Sequence, residues 1–183
     1  MGFGSIIATA MLAIAMLALV ITIIHVGTLS VVKTEEALHK QTQLLNNKLK
    51  TKITIDNIII DSLDPSLVYV NVTNTGSTSI NIGTFNNVDV VVTYISTTGV
   101  KVVKRLTYNA SGVGEDIWYI KRVLVNNREG DIVNPINLTL QQGLWDPGET
   151  LELTLKLSTS VNSSQGLSIV MALPNGEKTM YSV

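Results

Sequence analysis

The sequence IIATAMLAIAMLALVITIIHVGTLSVV, residues 6–32, contains no Asp, Glu, Lys or Arg, and the first charged side chain of the protein is Lys33. A helix needs about 20 residues, each rising about 1.5 Å, to cross roughly 30 Å of bilayer hydrocarbon. The stretch is longer than that, so it predicts a transmembrane helix over residues 1–32. A cleaved secretory signal is the alternative, but it has a basic n-region and a small-residue cleavage site, and neither is evident here.

Small residues recur at helical spacing in this segment and predict a surface that packs against another helix. Lipid tails provide no hydrophobic drive between helices, so association depends on the close backbone approach that small side chains permit. Small residues are also common in spans that do not associate, and both interpretations stay open. The positions concerned are Gly4, Ser5, Ala8, Thr9 and Ala13.

Residues 33–50 predict an amphipathic helical stalk. Val31, Leu38 and Leu45 repeat every seven residues, the spacing of a helix-pairing stripe, and charged or amide side chains cover the other face. Such a stripe packs either on the globular domain of its own chain or on a second copy or a neighbouring subunit. We therefore expect self-association through the N-terminal helix as one of two outcomes.

After Thr51 the hydrophobic period changes to two. Short β-branched runs, separated by turn residues every 8–12 positions or so, predict a sandwich or barrel rather than βαβ units. We expect residues 51–183 to form an extracellular, immunoglobulin-like antiparallel β-sandwich of about seven to nine strands, so that the protein is mainly β after its long helix. Pro174-Asn175-Gly176 predicts a hairpin turn, because Asn-Gly accommodates positive φ angles. The expected strands are 53–55 with 58–60, 67–72, 88–95, 100–108, 117–125, 136–140, 150–157, 167–173 and 178–183.

Composition excludes several classes of function. The chain has no cysteine and two histidines, His25 and His39, both outside the β domain, so thiolate metal sites and nucleophilic triads are unavailable there. The net charge of −1 argues against nucleic acid as a partner. Glu115 and Asp116 are adjacent, and on a strand they would point to opposite faces. We expect no enzyme activity, no metal and no cofactor.

Aromatic residues are the candidate contacts with a partner protein. Trp118 and Tyr119 are consecutive in a predicted strand, so one of them should face outward, and Trp145 precedes the Asp146-Pro147-Gly148 turn. A tryptophan most often fills a core, whereas an outward one would be an interface anchor. Both fates remain possible for these residues.

Four N-glycosylation sequons lie in the β domain, at Asn71, Asn109, Asn137 and Asn162. Sequons also arise by chance in a chain this rich in Asn, Ser and Thr, so their number is suggestive only. With the uncharged span they favour a single-pass protein whose N-terminus is in or near the cytoplasm and whose β domain is outside the cell.

Two parts of the sequence together resemble the archaellum accessory proteins FlaF and FlaG. The first is Met1-Gly2-Phe3-Gly4-Ser5 directly before the uncharged span, an opening closer to FlaF. The second is the strand pair KITI (52–55) and LVYVNVTNTG (67–76) with STSI (77–80) behind it. These proteins share the layout of archaellins and type IV pilins, in which an N-terminal hydrophobic helix carries an extracellular β-sandwich.

The resemblance implies a mechanical role, in which the β domain stands between membrane and surface layer and stabilises the archaellum motor against its own torque. It implies other archaellum components and a surface-layer protein as partners. A polymerising filament subunit, with the helix as filament core, is the alternative. Gly2 has no basic residue before it, and the uncharged span has no counterpart of the mature glutamate of type IV pilins. Both departures fit an anchored accessory protein better.

Overall fold

The computed structural model describes residues 2–183, apart from the side chain of Ser5. The chain divides into two compact units, Met1–Leu45 and Asn46–Val183. We call the second unit the head; it includes the last residues of the N-terminal helix.

One helix, α1 (Phe3–Lys50), covers both the predicted span and the predicted stalk. The sequence favours it because Ala, Leu and Met are strong helix formers and the first proline is Pro65. Every side chain of α1 that the structure describes is exposed. Hydroxyls within the apolar stretch donate to carbonyls of the preceding turn, as from Thr22 to Ala18 at 2.8 Å, so they need no water.

The head is mainly β, which confirms the predicted fold class; the immunoglobulin-like assignment stays a prediction. A 3₁₀ helix, Ile82–Asn87, is its other regular element among the described residues after α1. The strands are β1 (Ile53–Ile60), β2 (Leu67–Asn74), β3 (Ile80–Asn81), β4 (Asp89–Ile95), β5 (Lys101–Tyr108), β6 (Ile117–Val125), β7 (Arg128–Glu129), β8 (Leu144–Trp145), β9 (Glu149–Lys156), β10 (Leu167–Ala172) and β11 (Lys178–Ser182).

The strands form one path, β1-β2-β9-β6-β5-β4-β10-β11, with β7 paired to β6 and a separate β3–β8 pair. The pairs are antiparallel except β5 with β6, where two residue pairs are parallel. β1 and β11, the two ends of the path, lie close together. The side chains facing inward from the whole path pack into one hydrophobic core.

Alternation of side chains fills this core, as the period of two predicted. Val68, Val70 and Val72 of β2 are buried, and so are the leucines paired with them on β9. Phe85 of the 3₁₀ helix lies at the centre of an aromatic cluster. Its ring centroid is 6.0 Å from that of Tyr108, 5.7 Å from that of Trp118 and 6.2 Å from that of Trp145.

The predicted strand at 136–140 was wrong. The segment forms turns around one bridge between Asn137 and Gln142, and the side chain of Asn137 accepts a hydrogen bond from the Leu140 amide. An Asn side chain that bonds its own backbone competes with strand pairing. The elements absent from the prediction, β3, β7, β8 and the 3₁₀ helix, are too short to show a hydrophobic period.

The hairpin at Pro174-Asn175-Gly176 is confirmed, since it joins the antiparallel strands β10 and β11. Its turn is not type I′, which needs positive φ at both central residues. The Gly176 amide donates to the Leu173 carbonyl, and Gly176, at φ +83°, is the positive-φ residue of the turn. This matches the other common hairpin, a tight turn followed by a glycine bulge.

Candidate functional site

α1 is the candidate membrane-spanning element of this protein. Over Ile6–Lys50 it is long and apolar enough to cross a bilayer, by length and composition. Among the described residues, no other helix meets that test.

The predicted helix-packing positions lie on exposed surface of α1. Gly4, Ala8 and Ala13 are exposed, and a Cβ built on Gly4 would meet no described atom within 4 Å. The Thr9 hydroxyl donates to the Ile6 carbonyl at 3.1 Å. The side chain of Ser5 lies outside the described residues.

The heptad positions Val31, Leu38 and Leu45 are likewise exposed on α1. Helix packing at these positions and at the small residues stays a prediction.

The C-terminal end of α1 is joined to the head by backbone hydrogen bonds. The last carbonyls of a helix have no partner within it and need another donor. The Lys50 carbonyl receives the Ser77 amide at 2.8 Å, and the Lys52 carbonyl receives the amides of Thr75 and Gly76, both at 2.9 Å. We call this contact between residues 50–52 and 74–77 the junction.

Thr51, between these two carbonyls, is buried and closes the last turn of the helix. Its amide and its hydroxyl both donate to the Asn47 carbonyl, at 3.0 and 2.8 Å. Thr51 is therefore held by hydrogen bonds at the point where the chain leaves the helix.

Gly76 allows the two segments of the junction to touch. A Cβ at this position would lie 2.6 Å from the Lys50 oxygen and 2.6 Å from the Lys52 nitrogen, closer than Cβ atoms approach other atoms in proteins. Glycine is needed here because there is no space for a side chain, and not for its backbone angle, since the φ of Gly76 is not in the positive region.

Asn74 supports the junction from inside the head. Its fully buried side chain donates to the Thr78 carbonyl at 3.0 Å and the Trp145 carbonyl at 2.9 Å, and accepts from the Gly76 amide at 3.1 Å. Asn and Gly are typical turn residues, but nothing in the sequence indicated that this turn would meet the helix end. That contact joins residues distant in the sequence and has no local signal.

The tryptophans fill the core, which corrects their proposed role as partner contacts. Trp118 and Trp145 are both 0% exposed, and the Trp145 indole N–H donates to the Glu149 carbonyl at 2.9 Å. A side chain without accessible surface cannot anchor a partner. Tyr119 lies half-buried on the opposite face of β6, so one of the adjacent pair does face outward, as expected.

Glu115 and Asp116 lie in the loop before β6, outside the predicted strand 117–125. Asp116 is engaged in structure, because it pairs with Lys104 at 2.6 Å and accepts the amide of Ser158 at 3.0 Å. Burial opposes ionisation, but the hydrogen bonds from Lys104 and Ser158 outweigh it and lower the pKa of Asp116. This pattern is that of a structural carboxylate.

A second carboxyl cluster consists of Asp131, Asp146 and Glu149, from each of which one oxygen lies within 4.8 Å of the others. Calcium takes six to eight oxygen ligands at about 2.3–2.6 Å. Five of the six carboxyl oxygens here accept described hydrogen bonds; the exception is Asp131 Oδ1. The cluster thus fits a hydrogen-bonded support for the loop before β8, not a cation cage.

The four sequons differ in their surroundings. Asn71 is in the middle of β2, whereas the other three are in turns or loops, of which Asn137 is exposed. The Nδ2 atom of Asn109 donates to the Val113 carbonyl at 2.8 Å, so its attachment atom is engaged. Asn162 accepts the amide of Ser164, and its neighbour Ser163 is exposed.

Comparison with known proteins gives one family. The family model described as archaeal-type flagellin matches residues 2–183. No curated protein matches the chain.

Among solved structures, the archaellum periplasmic stator protein FlaG from Sulfolobus acidocaldarius is 20% identical, with 73% of this chain and 99% of that one covered, at a TM-score of 0.49. The FlaF and FlaG stator complex from the same organism is 21% identical over 73% of this chain and 89% of that one, also at 0.49.

Proposed function

This chain belongs to the archaeal-type flagellin family, and on that premise we propose that it is a membrane-anchored accessory protein of the archaellum. In this proposal α1 crosses the membrane, the head lies outside the cell, and the protein holds the motor against the cell envelope. The observation that carries it is the junction, where a long apolar helix ends in backbone hydrogen bonds to the head. A tether that transmits force needs such a connection between its helix and its folded domain, and it needs no catalytic activity.

The proposed partners are other archaellum components and the surface-layer protein. Tyr119, half-buried on the outer face of β6, is the remaining aromatic candidate for such a contact. Self-association through α1 is proposed from its exposed heptad and small-residue positions. No catalytic role is proposed, since Asp116 and the Asp131 cluster have structural partners.

Membrane topology tests the proposal directly, because the chain has no native cysteine to interfere. Ser163→Cys places one thiol on an exposed loop of the head. In intact cells a membrane-impermeant maleimide should label S163C, while Gly2→Cys should be labelled after lysis. Labelling of G2C but not of S163C in intact cells would refute the proposed orientation.

Partner capture tests the mechanical role. Cells expressing the full-length chain are cross-linked, extracted in detergent and analysed for surface-layer and archaellum proteins. A Tyr119→Ala variant serves to test the proposed contact, with Thr107→Ala, at an exposed position of β5, as the control. Recovery of the chain without either class of protein would overturn the accessory role.

A filament subunit is the second candidate, favoured by the family description, which is that of flagellin. In that case α1 would form the filament core and the N-terminus would be processed. Mass spectrometry of the mature N-terminus separates the two: loss of Met1 and Gly2 supports the filament, and retention supports the anchor.

N-glycosylation is proposed for the sequons, with Asn137 and Asn162 the more accessible to a transferase acting on the folded head. Asn109 is the less favoured, because its Nδ2 is already bonded to Val113. Glycopeptide mass spectrometry of protein from its native cells distinguishes the sites. Unmodified peptides at all four, including Asn71, would refute this part of the proposal.

A further inference from the structure

Glu149 holds the irregular segment 130–143 onto the sheet, and Asp131 closes the segment on itself. Glu149, at the first position of β9, is 0% exposed. Its Oε1 accepts the Ile132 amide at 2.6 Å and its Oε2 accepts the Asp146 amide at 2.8 Å. Asp131 Oδ2 accepts the Ile136 amide at 2.8 Å. We call these three hydrogen bonds the clasp of the segment.

One oxygen of the clasp is buried without a partner. Asp131 Oδ1 is inaccessible to solvent and accepts no hydrogen bond within residues 2–183. It belongs to the same cluster as Glu149, in which one oxygen from each carboxyl lies within 4.8 Å of the others. Two ionised carboxylates at such a distance in a buried site repel each other, and one proton between them removes the repulsion and satisfies the orphaned oxygen.

The surrounding charges do not neutralise the pair. Lys121 and Arg122 are engaged by Glu152, at 3.0 and 2.6 Å. The charged groups of the elements packed against the clasp are Asp146 in the turn before β9, Arg128 and Glu129 in β7, and Lys121 and Arg122 in β6. Asp146, the nearest of them, is itself acidic and held ionised by its donors, Ser79 first, which lower its pKa.

We propose that Glu149 keeps a proton and donates it to Asp131 Oδ1, so that the clasp on residues 130–143 is closed in acid and weakens as the pH rises. Neither carboxyl then binds a metal ion. The pair instead makes the stability of this part of the head depend on pH. It makes the surface formed by 130–143 responsive to the pH outside the membrane.

Burial of Glu149 decides the direction in which the stability of the clasp changes with pH. Burial raises the pKa of Glu149 most, two backbone amides oppose it, and Asp131 raises it further. A group whose pKa is raised by folding contributes stability that is present below its ordinary value of 4.5 and is lost as the pH rises through the folded value. The weakening therefore begins above that ordinary value and continues upward.

Hydrogen exchange of the full-length chain in detergent micelles tests the proposal, read by mass spectrometry on peptides within 130–143. After correction for the intrinsic exchange rate, protection should fall as the pH is raised above the ordinary value of 4.5, by at most about tenfold per pH unit for one linked proton. The key variant is Asp131→Asn. Its amide donates to Glu149 in place of the proton, while its carbonyl still accepts the Ile136 amide.

D131N should keep the segment protected at the alkaline end and remove the pH dependence. The matched control is Asp61→Asn, because Asp61 accepts the amides of Leu63 and Asp64 in a distant turn. D61N should leave the pH dependence of 130–143 as in the wild type.

Three results would overturn the proposal: protection of the wild-type segment that does not change with pH, pH dependence retained in D131N, or protection at alkaline pH restored by calcium and removed by a chelator. The last result would assign the cluster to a cation instead. If D131N does not fold, carbon-13 carboxyl NMR of the wild type decides. A buried carboxyl that stays protonated well above the ordinary range supports the retained proton, and its absence refutes it.

Discussion

Gly76 is the position where one added methyl group tests the junction. A Cβ would lie 2.6 Å from both the Lys50 oxygen and the Lys52 nitrogen. Both are backbone atoms, which cannot rotate aside as a side chain would. In Gly76→Ala the two segments must therefore move apart, which lengthens the bonds from the Ser77 amide to Lys50 and from the Gly76 amide to Lys52, now 2.8 and 2.9 Å.

The cost of this separation follows from ordinary magnitudes. Overpacking a tight site costs about 1–3 kcal/mol, and each weakened hydrogen bond costs up to about 1 kcal/mol. Against this, alanine restricts the unfolded chain and contributes about 0.4–1 kcal/mol of stability. We expect the free energy of unfolding of the head to fall by about 2–3 kcal/mol, and its Tm to fall by roughly 6–15 °C, for a domain of this size.

Thermal and urea unfolding of the full-length chain in detergent micelles measures this effect. Trp118 and Trp145, both buried in the head, make tryptophan fluorescence report on that unit. Gly130→Ala is the matched control, because a Cβ at Gly130 meets no described atom within 4 Å. Its stability should be unchanged or slightly higher. A G76A variant as stable as G130A would show that the close approach at the junction does not exist.

Three further outcomes are expected from the same unfolding measurements. Phe85→Ala removes the ring at the centre of the aromatic cluster and should cost about 3–5 kcal/mol, whereas a loss below about 1 kcal/mol would contradict the described packing. Asn74→Asp keeps the shape but cannot donate to two buried carbonyls, so it should cost about 2–4 kcal/mol. Because folding lowers the pKa of Asp116, its contribution is present above the ordinary value of 3.8 and is lost as the pH falls through the folded value. Asp116→Asn should therefore lower stability at neutral pH and flatten the acid side of the profile, and an unchanged acid limb would refute this.

The resemblance to archaellum proteins, stated from the opening residues and the strand pair, is confirmed at the level of the family by the match over residues 2–183. Those motifs are local in sequence, and so they could be recognised without coordinates. The closer likeness to FlaF remains a prediction, as does the role of each helix-packing position from Gly4 to Leu45.

The junction and the clasp could not be predicted in the same way. Gly76 meets Lys50 and Lys52 after the chain has passed through β1 and back along β2. Asp131 and Glu149 come together across an irregular segment whose course no periodicity specifies. Both contacts join residues about 18–26 positions apart in the chain, and such contacts depend on strand register, which a propensity or a turn motif does not fix.

By itself the sequence determined that an uncharged helix is followed by a strand-rich domain, because hydrophobic period and charge content are properties of neighbouring residues. Tertiary structure alone decided that both tryptophans are buried, that the helix end is bonded to the Asn74–Gly76 turn and that Asp131 and Glu149 come into one cluster. The physical reason is that a hydrophobic period of two residues shows only which side chains share one face of a strand. What that face packs against depends on the pairing and register of the strands.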